Sequence, residues 1–378
     1  MTIPIRNYYY LFLYAWARFP GGSATEVGID NSPDLPNLFA RLLVVGTRSL
    51  FRRGLDRGYN VYTRELHGLR GRLRMDRMIK GATQLRGAAV CDVDELSHDV
   101  LHNQILKATL VSLAACRDVE ARNRHDLHAL ARLFNDVEQI SLSASHFRRS
   151  SVSRNNREYG FLIKLCEFVF WSLMPDERGA KTRFQTVDDD EMRMSAVFEE
   201  FLRNFFKMHR SEYRVRAESP AWDVSDATPS DLAFLPRMIT DITLRQLDHT
   251  IIVDAKFYKN ALLQSPYGER VRSQHLYQLI TYLQHERARQ VAIGLSGMLI
   301  YPTVGQSLRL RYRLLGIPVL IATVDLSKEW PTIDAELHEL LNDCATAACK
   351  SNEIEKTSSS LATVALADVA PCSNRIGV

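Results

Sequence analysis

Thr240-Asp241-Ile242-Thr243-Leu244-Arg245-Gln246-Leu247-Asp248-His249-Thr250-Ile251-Ile252-Val253-Asp254-Ala255-Lys256-Phe257-Tyr258 decides how this chain is read. Ile251, Ile252 and Val253 form an apolar, β-branched run of the kind that fills a buried strand. Arg245 to His249 is polar and contains Asp248, which suits a turn. With the turn centred on Leu247 and Asp248, Asp241 and Asp254 lie equally far from the centre and face each other across a hairpin. Directly opposed residues have Cβ atoms about 5 Å apart. Lys256, two residues past Asp254, points to the same face. Mg²⁺ takes hard oxygen ligands and keeps several waters, so the two carboxylates can hold it. The lysine can orient a water or stabilise charge on an attacked phosphate. Asp254 ends an apolar run, where an unpaired charge is costly. Asp-x-Lys by itself is a weak motif, and on these residues alone a solvated strand edge is an equal reading.

Downstream, Gln274 to Tyr282 reads as helix. Gln278 and Tyr282 are four apart and share a face. A Gln-x-x-x-Tyr pair on the helix after such a hairpin resembles the extra motif of the RecB-like branch of PD-(D/E)xK nucleases. There the pair lines the active site and helps position metal or DNA. Without the hairpin, a helix with a mixed polar face would be the simpler reading.

The chain has 378 residues, enough for two domains, and a 46% hydrophobic share that supplies ample core. The net charge of +4 does not by itself force a nucleic-acid reading. Its distribution is more telling: Arg48, Arg52, Arg53 and Arg57 are followed by Arg64, Arg70, Arg72, Arg74, Arg77 and Lys80. That cluster suits DNA phosphate, an acidic partner surface, or plain solvation. The six cysteines (Cys91, Cys116, Cys166, Cys344, Cys349 and Cys372) form no Cys-x-x-Cys pair, so zinc is not indicated and a reduced cytoplasmic protein is. His125 and His128 lack a supporting ligand constellation and read as surface residues. Residues 8–16 are apolar but too short to span a membrane, and no cleavage site follows them. No Gly-x-x-x-x-Gly-Lys-Ser/Thr loop occurs, so nucleotide-driven work must come from a partner.

Helical spacing predicts helices near residues 8–17, 38–51, 102–115, 126–134, 159–173 and 191–208. Residues 59–74, with Gly68 and Gly71, predict strands around a tight turn. Residues 291–301 and 319–324 predict strands. The order helix, hairpin, helix, strand, strand implies an α/β (α+β) core with a mixed sheet flanked by helices. The Ser-, Arg- and Asn-rich stretch 141–156 is the expected interdomain region. It divides an N-terminal mixed α+β domain (1–150) from a C-terminal domain (151–345). A tail (346–378), rich in Ser and small residues, is expected to be loosely packed or disordered.

Beyond the hairpin, several motifs occur in order. They are Ile3-Pro4-Ile5-Arg6-Asn7-Tyr8-Tyr9-Tyr10 with Leu13-Tyr14-Ala15-Trp16, then Gly68-Leu69-Arg70-Gly71-Arg72, and then Asp94-Glu95-Leu96-Ser97-His98-Asp99 leading to Asn103-Gln104-Ile105-Leu106. Leu235-Pro236-Arg237-Met238, Val253-Asp254-Ala255-Lys256-Phe257-Tyr258-Lys259, Tyr277-Gln278-Leu279, Leu299-Ile300-Tyr301-Pro302 and Glu329-Trp330-Pro331 follow. Through these the chain resembles the McrC family, the nuclease subunits of McrBC modification-dependent (5-methylcytosine) restriction systems, from its first residues to about Leu341. The resemblance implies a PD-(D/E)xK restriction-endonuclease-like fold for the C-terminal domain and Mg²⁺-dependent cleavage of double-stranded DNA containing modified cytosine. It further implies an N-terminal domain that docks on a McrB-like AAA+ GTPase hexamer and stimulates it, GTP being bound by that partner. The family's catalytic pair and lysine fall on Asp241, Asp254 and Lys256, with Gln278 and Tyr282 as further site residues. The upstream helix of such nucleases can add a glutamate. Glu199 and Glu200 lie there, and Glu199 is the candidate metal ligand, with a water-facing carboxylate as the alternative.

Two departures stand out. Thr240 occupies the place where the superfamily's name expects proline, and alanine precedes the lysine, leaving Asp254 as the sole carboxylate of that motif. Two other readings stay open: a non-cleaving activator of an AAA+ GTPase, and a stand-alone RecB-like nuclease. The intact Asp241, Asp254 and Lys256 speak against the first, and the unexplained N-terminal half against the second.

Overall fold

A computed structural model describes residues 3–16, 32–81, 83–150, 157–175, 182–184, 191–258, 262–265, 268–289 and 294–367. The chain divides into two compact units: Met1–Ala15 with Val187–Val378, and Trp16–Thr186. This differs from the expected break at residue 150 in two ways. The first helix belongs with the C-terminal residues, and residues 151–186 belong with the N-terminal ones.

In the Trp16–Thr186 unit, α2 (Leu35–Arg53), α4 (Leu101–Ala114), α5 (Ala121–Leu133) and α7 (Arg157–Ser172) pack together. Helix α2 starts on Asp34, whose carboxylate accepts the Asn37 N–H at 3.1 Å. Phe39 meets Phe168 and Phe51 meets Phe134, with ring centres 5.4 and 4.8 Å apart. Buried Asn37 joins two helices by accepting from Glu120 N–H and Asn123 Nδ2. Beside the helices lies an antiparallel sheet of β1 (Gly58–Leu66), β2 (Arg72–Leu73) and β3 (Ala89–Ser97), in the order β1-β3-β2. The expected turn is therefore not a two-stranded hairpin, since both strands pair with β3. Gly71 has φ +78°, and a Cβ there would lie 2.1 Å from the Asp92 carbonyl, so only glycine passes. The short α3 (Met75–Gly81) and α6 (Ala144–Arg149) and the pair β4 (Leu173–Pro175) and β5 (Thr182–Phe184) complete the unit.

The second unit is built on a six-stranded mixed sheet. Its strands are β6 (Arg214–Arg216), β7 (Ile242–Arg245), β8 (His249–Ala255), β11 (Gly294–Thr303), β12 (Arg309–Leu314) and β13 (Ile317–Asp325), ordered β12-β13-β11-β8-β7-β6. β8, β11 and β13 run parallel, while β6, β7 and β12 pair antiparallel with their neighbours. The parallel centre is buried on both faces, as the continuous burial of β8 and β13 shows. Helix α10 (Ser273–Ala288) covers one face. Gly297 lets it approach, because a Cβ there would lie 2.7 Å from Leu283 Cδ1. Helix α11 (Trp330–Ala367) covers the other, where Ser296 Oγ donates to the Cys344 carbonyl at 3.0 Å. A short α9 (Pro229–Leu232) and the hairpin β9 (Leu262–Ser265) and β10 (Gly268–Val271) are peripheral.

Helix α1 (Ile5–Ala15) packs on α8 (Glu191–His209). Tyr14 lies against Phe201 and Phe205, and Tyr10 stacks on Trp330 at 4.5 Å. Asn204 Nδ2 donates to the Tyr14 and Ala15 carbonyls, and Asn7 Nδ2 to those of Leu326 and Lys328. These contacts assign α1 to the C-terminal unit. Helix α11 continues to Ala367, so residues 346–367 are helical where a loosely packed tail is expected; residues 368–378 lie outside the described ones. No helix among the described residues is long and apolar enough to cross a membrane.

Candidate active site

The hairpin register pairs Ile242 with Val253 and Arg245 with Thr250. Gln246 N–H closes the turn on the His249 carbonyl at 2.9 Å, with Leu247 at its exposed tip. Continued by one step, this register sets Asp241 opposite Asp254, as the symmetry of the sequence about Leu247–Asp248 predicts. Asp254 is wholly buried near the end of β8, next to Leu299 of β11. Lys256 N–H donates to the Ile300 carbonyl at 3.0 Å, which carries the strand direction one residue further and fixes where its side chain leaves. Ile252, Asp254 and Lys256 thus share the α10 face.

Thr240 explains its own departure from proline. Its N–H donates to the Glu218 carbonyl at 2.9 Å, and its hydroxyl lies 2.8 Å from that of Thr243. A proline here would remove the first of these bonds. Farther along β7, Arg245 is clamped between the Glu218 and Glu286 carboxylates at 2.6 Å each, which ties the hairpin to α10.

Lys256 Nζ lies 3.0 Å from Asp254 Oδ1 and 3.6 Å from Asp241 Oδ2. Asp241 Oδ2 also accepts the Ala255 N–H at 2.9 Å. Asp254 Oδ2 is buried with no hydrogen-bond partner. Such an atom is expensive to leave unmatched in a native fold. Burial first, and then the Asp241 charge, push the Asp254 carboxyl well above the usual carboxylate range, against the pull of Lys256. Burial pulls the Lys256 ammonium down, but Asp254 and Asp241 outweigh it and hold it above its ordinary value. One cation between two carboxylates leaves the pair under-neutralised.

Glu199 reaches the same cleft from α8. Its Oε1 accepts from Arg203 Nη1 at 2.7 Å, and the same Nη1 donates to the Asp241 carbonyl at 3.1 Å. Burial and then Asp241 raise the Glu199 carboxyl. Gln278 Nε2 donates to the Tyr282 hydroxyl at 2.9 Å, and that hydroxyl donates to the Ile239 carbonyl at 2.8 Å. The helical pair therefore grips the chain two residues before Asp241. A cleft of about 950 Å³ opens here, with Glu199, Lys256, Tyr258, His275 and Gln278 among its walls. His275 carried no role in the sequence reading. Its Nδ1 lies 2.9 Å from the Tyr301 hydroxyl, and its place one turn before Gln278 on the same helix was the available signal.

The orphaned Asp254 Oδ2, the facing Asp241 and the nearby Glu199 are hard oxygen donors and fit a divalent cation such as Mg²⁺. Among the described residues, the three-residue ligand sets drawn within 4.8 Å lie elsewhere: His209, Asp334 and His338, and Asp248, His249 and Cys349. The basic stretch noted in the other unit is partly neutralised by distant carboxylates: Arg48 by Asp126, Arg53 by Glu158, Arg64 by Glu95 and Arg74 by Asp92. Arg70, Arg72, Arg77 and Lys80 are exposed.

The family description "McrBC 5-methylcytosine restriction system component" matches residues 12–302. The chain belongs to this family. It is an McrC-like component of a McrBC restriction system. It is 31% identical over 342 residues to the Escherichia coli K12 protein described as "Type IV methyl-directed restriction enzyme EcoKMcrBC", covering 90% of this chain and 98% of that one. In structure it resembles a chain of the half-complex from the tetradecameric assembly of Thermococcus gammatolerans McrB AAA+ hexamers with bound McrC. The TM-score is 0.50 at 18% identity, over 90% of this chain and 76% of that one. At that identity the likeness is one of fold.

Proposed function

We propose that the chain is the DNA-cleaving subunit of its restriction system, a Mg²⁺-dependent endonuclease of PD-(D/E)xK type. The observation that carries the reading is the orphaned Asp254 Oδ2 beside Asp241 with Lys256 between them. Asp254 and Asp241 would hold the cation, with Glu199 at its margin. When bound, Mg²⁺ supplies Lewis-acid stabilisation of a phosphodiester and lowers the pKa of water.

The chain's own residues do the rest. Asp254, buried and fixed by the strand ladder, offers its carboxylate without reorganisation. Asp241 is held by the Ala255 N–H, so the two carboxylates keep their spacing. Lys256, anchored on Asp254, presents positive charge where charge develops on the attacked phosphate. Tyr282 and Gln278 set the approach of residues 239–241 rather than touching the carboxylates. The substrate would be double-stranded DNA bearing a methylated cytosine, as the family description and the methyl-directed relative support. The partner would be a McrB-like AAA+ GTPase ring, which the half-complex supports.

The test is incubation of methylated and unmethylated plasmid with this chain, a McrB-like GTPase partner, Mg²⁺ and GTP. Cleavage confined to methylated plasmid and dependent on both GTP and partner supports the reading. Cleavage without partner or GTP replaces it with a stand-alone nuclease.

A further inference from the structure

Arg272 precedes α10, and its guanidinium lies over the Tyr258 ring, 4.5 Å from the centroid. Its Nε is buried without a hydrogen-bond partner. Among the described residues no carboxylate lies within ion-pair distance of it, whereas Arg203, Arg216 and Arg245 of the same unit are all paired. The residue as a whole is half-buried, so its guanidinium keeps an open side, and a cation with a buried, unpartnered Nε and no anion beside it is only partly matched. Its platform is part of the cleft: Tyr258 forms a cleft wall and packs on His275, with ring centres 5.0 Å apart, and His275 in turn contacts Tyr301. Burial first, and then the charges of Lys256 and Arg272, hold His275 down to about 4, so the histidine adds no positive charge near neutral pH and Arg272 is the added cation beside Lys256.

Charge balance says what the cation is for. Lys256 offsets one of the two facing carboxylates, and Glu199 is offset by Arg203. A divalent cation there leaves one net positive charge, which one phosphodiester consumes. A neighbouring phosphate of the same strand then needs its own cation. Guanidinium is suited to this task, since it binds phosphate through a planar fork and stacks on an aromatic face at once.

We propose that Arg272, braced on Tyr258, binds a backbone phosphate of the DNA strand next to the one held at Asp241, Asp254 and Lys256. The inference rests on the nuclease reading of that site. Its test uses the reconstituted complex of full-length chain, partner GTPase, GTP and Mg²⁺ on methylated duplex. Single-turnover cleavage by wild type, Arg272→Gln, Arg272→Lys and Asp254→Asn is followed at several NaCl concentrations. Arg272→Gln should slow cleavage about tenfold or more, make its salt dependence shallower by about one phosphate contact, and leave GTPase stimulation unchanged. Arg272→Lys should restore the salt slope and part of the rate, which a purely structural role for the side chain would not do. An Arg272→Gln rate and salt slope matching wild type, while Asp254→Asn is dead, overturns the Arg272 assignment alone. Undiminished cleavage by Asp254→Asn overturns the nuclease reading and this inference with it.

Discussion

Asp241 is bound to the backbone of the residue next to Asp254: its Oδ2 accepts the Ala255 N–H at 2.9 Å, one step beyond the paired Ile242 and Val253. The carboxylate is thereby tied to the strand it faces, and a single hairpin sets both acids. With Lys256 added, the geometry yields a cleft whose negative charge is only partly cancelled. Each consequence can be measured.

Lys256→Met removes the cation from between Asp241 and Asp254. Cleavage should fall about a hundredfold or more if the lysine acts electrostatically. In metal-free buffer at neutral pH, stability should drop by about 1–3 kcal/mol, below the usual cost of breaking a buried pair because Asp254 takes up a proton instead. The loss should shrink as pH falls, since protonation of Asp254 then costs less. Urea denaturation at several pH values measures it, and a pH-independent difference would contradict the electrostatic account.

Tyr282→Phe deletes the hydroxyl that receives Gln278 Nε2 and donates to the Ile239 carbonyl. The stability cost should be about 1 kcal/mol. Cleavage should fall roughly tenfold through misplacement of residues 239–241. Equal loss in Gln278→Leu and in the double variant would show that the two side chains act as one device, whereas additive losses would show that they do not.

His275 gives stability a pH signature. It is 6% exposed, and its folded-state value of about 4 lies below the ordinary 6.5. Between these values the unfolded chain binds the proton and the folded chain does not. The contribution is therefore intact above about pH 6.5 and is lost as pH falls toward 4, up to about 3 kcal/mol over that window. In metal-free chemical denaturation, wild type should lose stability more steeply across this range than His275→Gln. Parallel curves would mean that the imidazole titrates normally.

The parts of this site that were legible in the sequence are those fixed by short-range geometry. The opposition of Asp241 and Asp254 follows from symmetry about a two-residue turn, and the Gln278–Tyr282 pairing from helical spacing. What stayed hidden depends on contacts between distant residues. Helix α1 is apolar and aromatic, but nothing local says that Tyr10 and Tyr14 will meet Trp330 and Phe201 rather than the helices that follow them in sequence. Strand β12 alternates, yet its three arginines read as solvated, and nothing local says that Arg309 and Arg311 pair with Glu339 and Asp343 of α11. The basic stretch looked stronger in sequence than in space because Asp126 and Glu158 return to it from later helices. Arg272 carried no motif of its own, and only its buried, unpartnered Nε and its stacking on Tyr258 mark it.

The central claim is that Asp254 belongs to a cleavage centre. Its most direct test is Asp254→Asn in the reconstituted complex, with DNA cleavage and partner GTP hydrolysis followed in the same reaction. The account predicts cleavage reduced by about a thousandfold or more, with GTPase stimulation and folding unchanged, because a near-isosteric amide removes the charge but not the packing. Cleavage within a few-fold of wild type by a folded Asp254→Asn chain would contradict it.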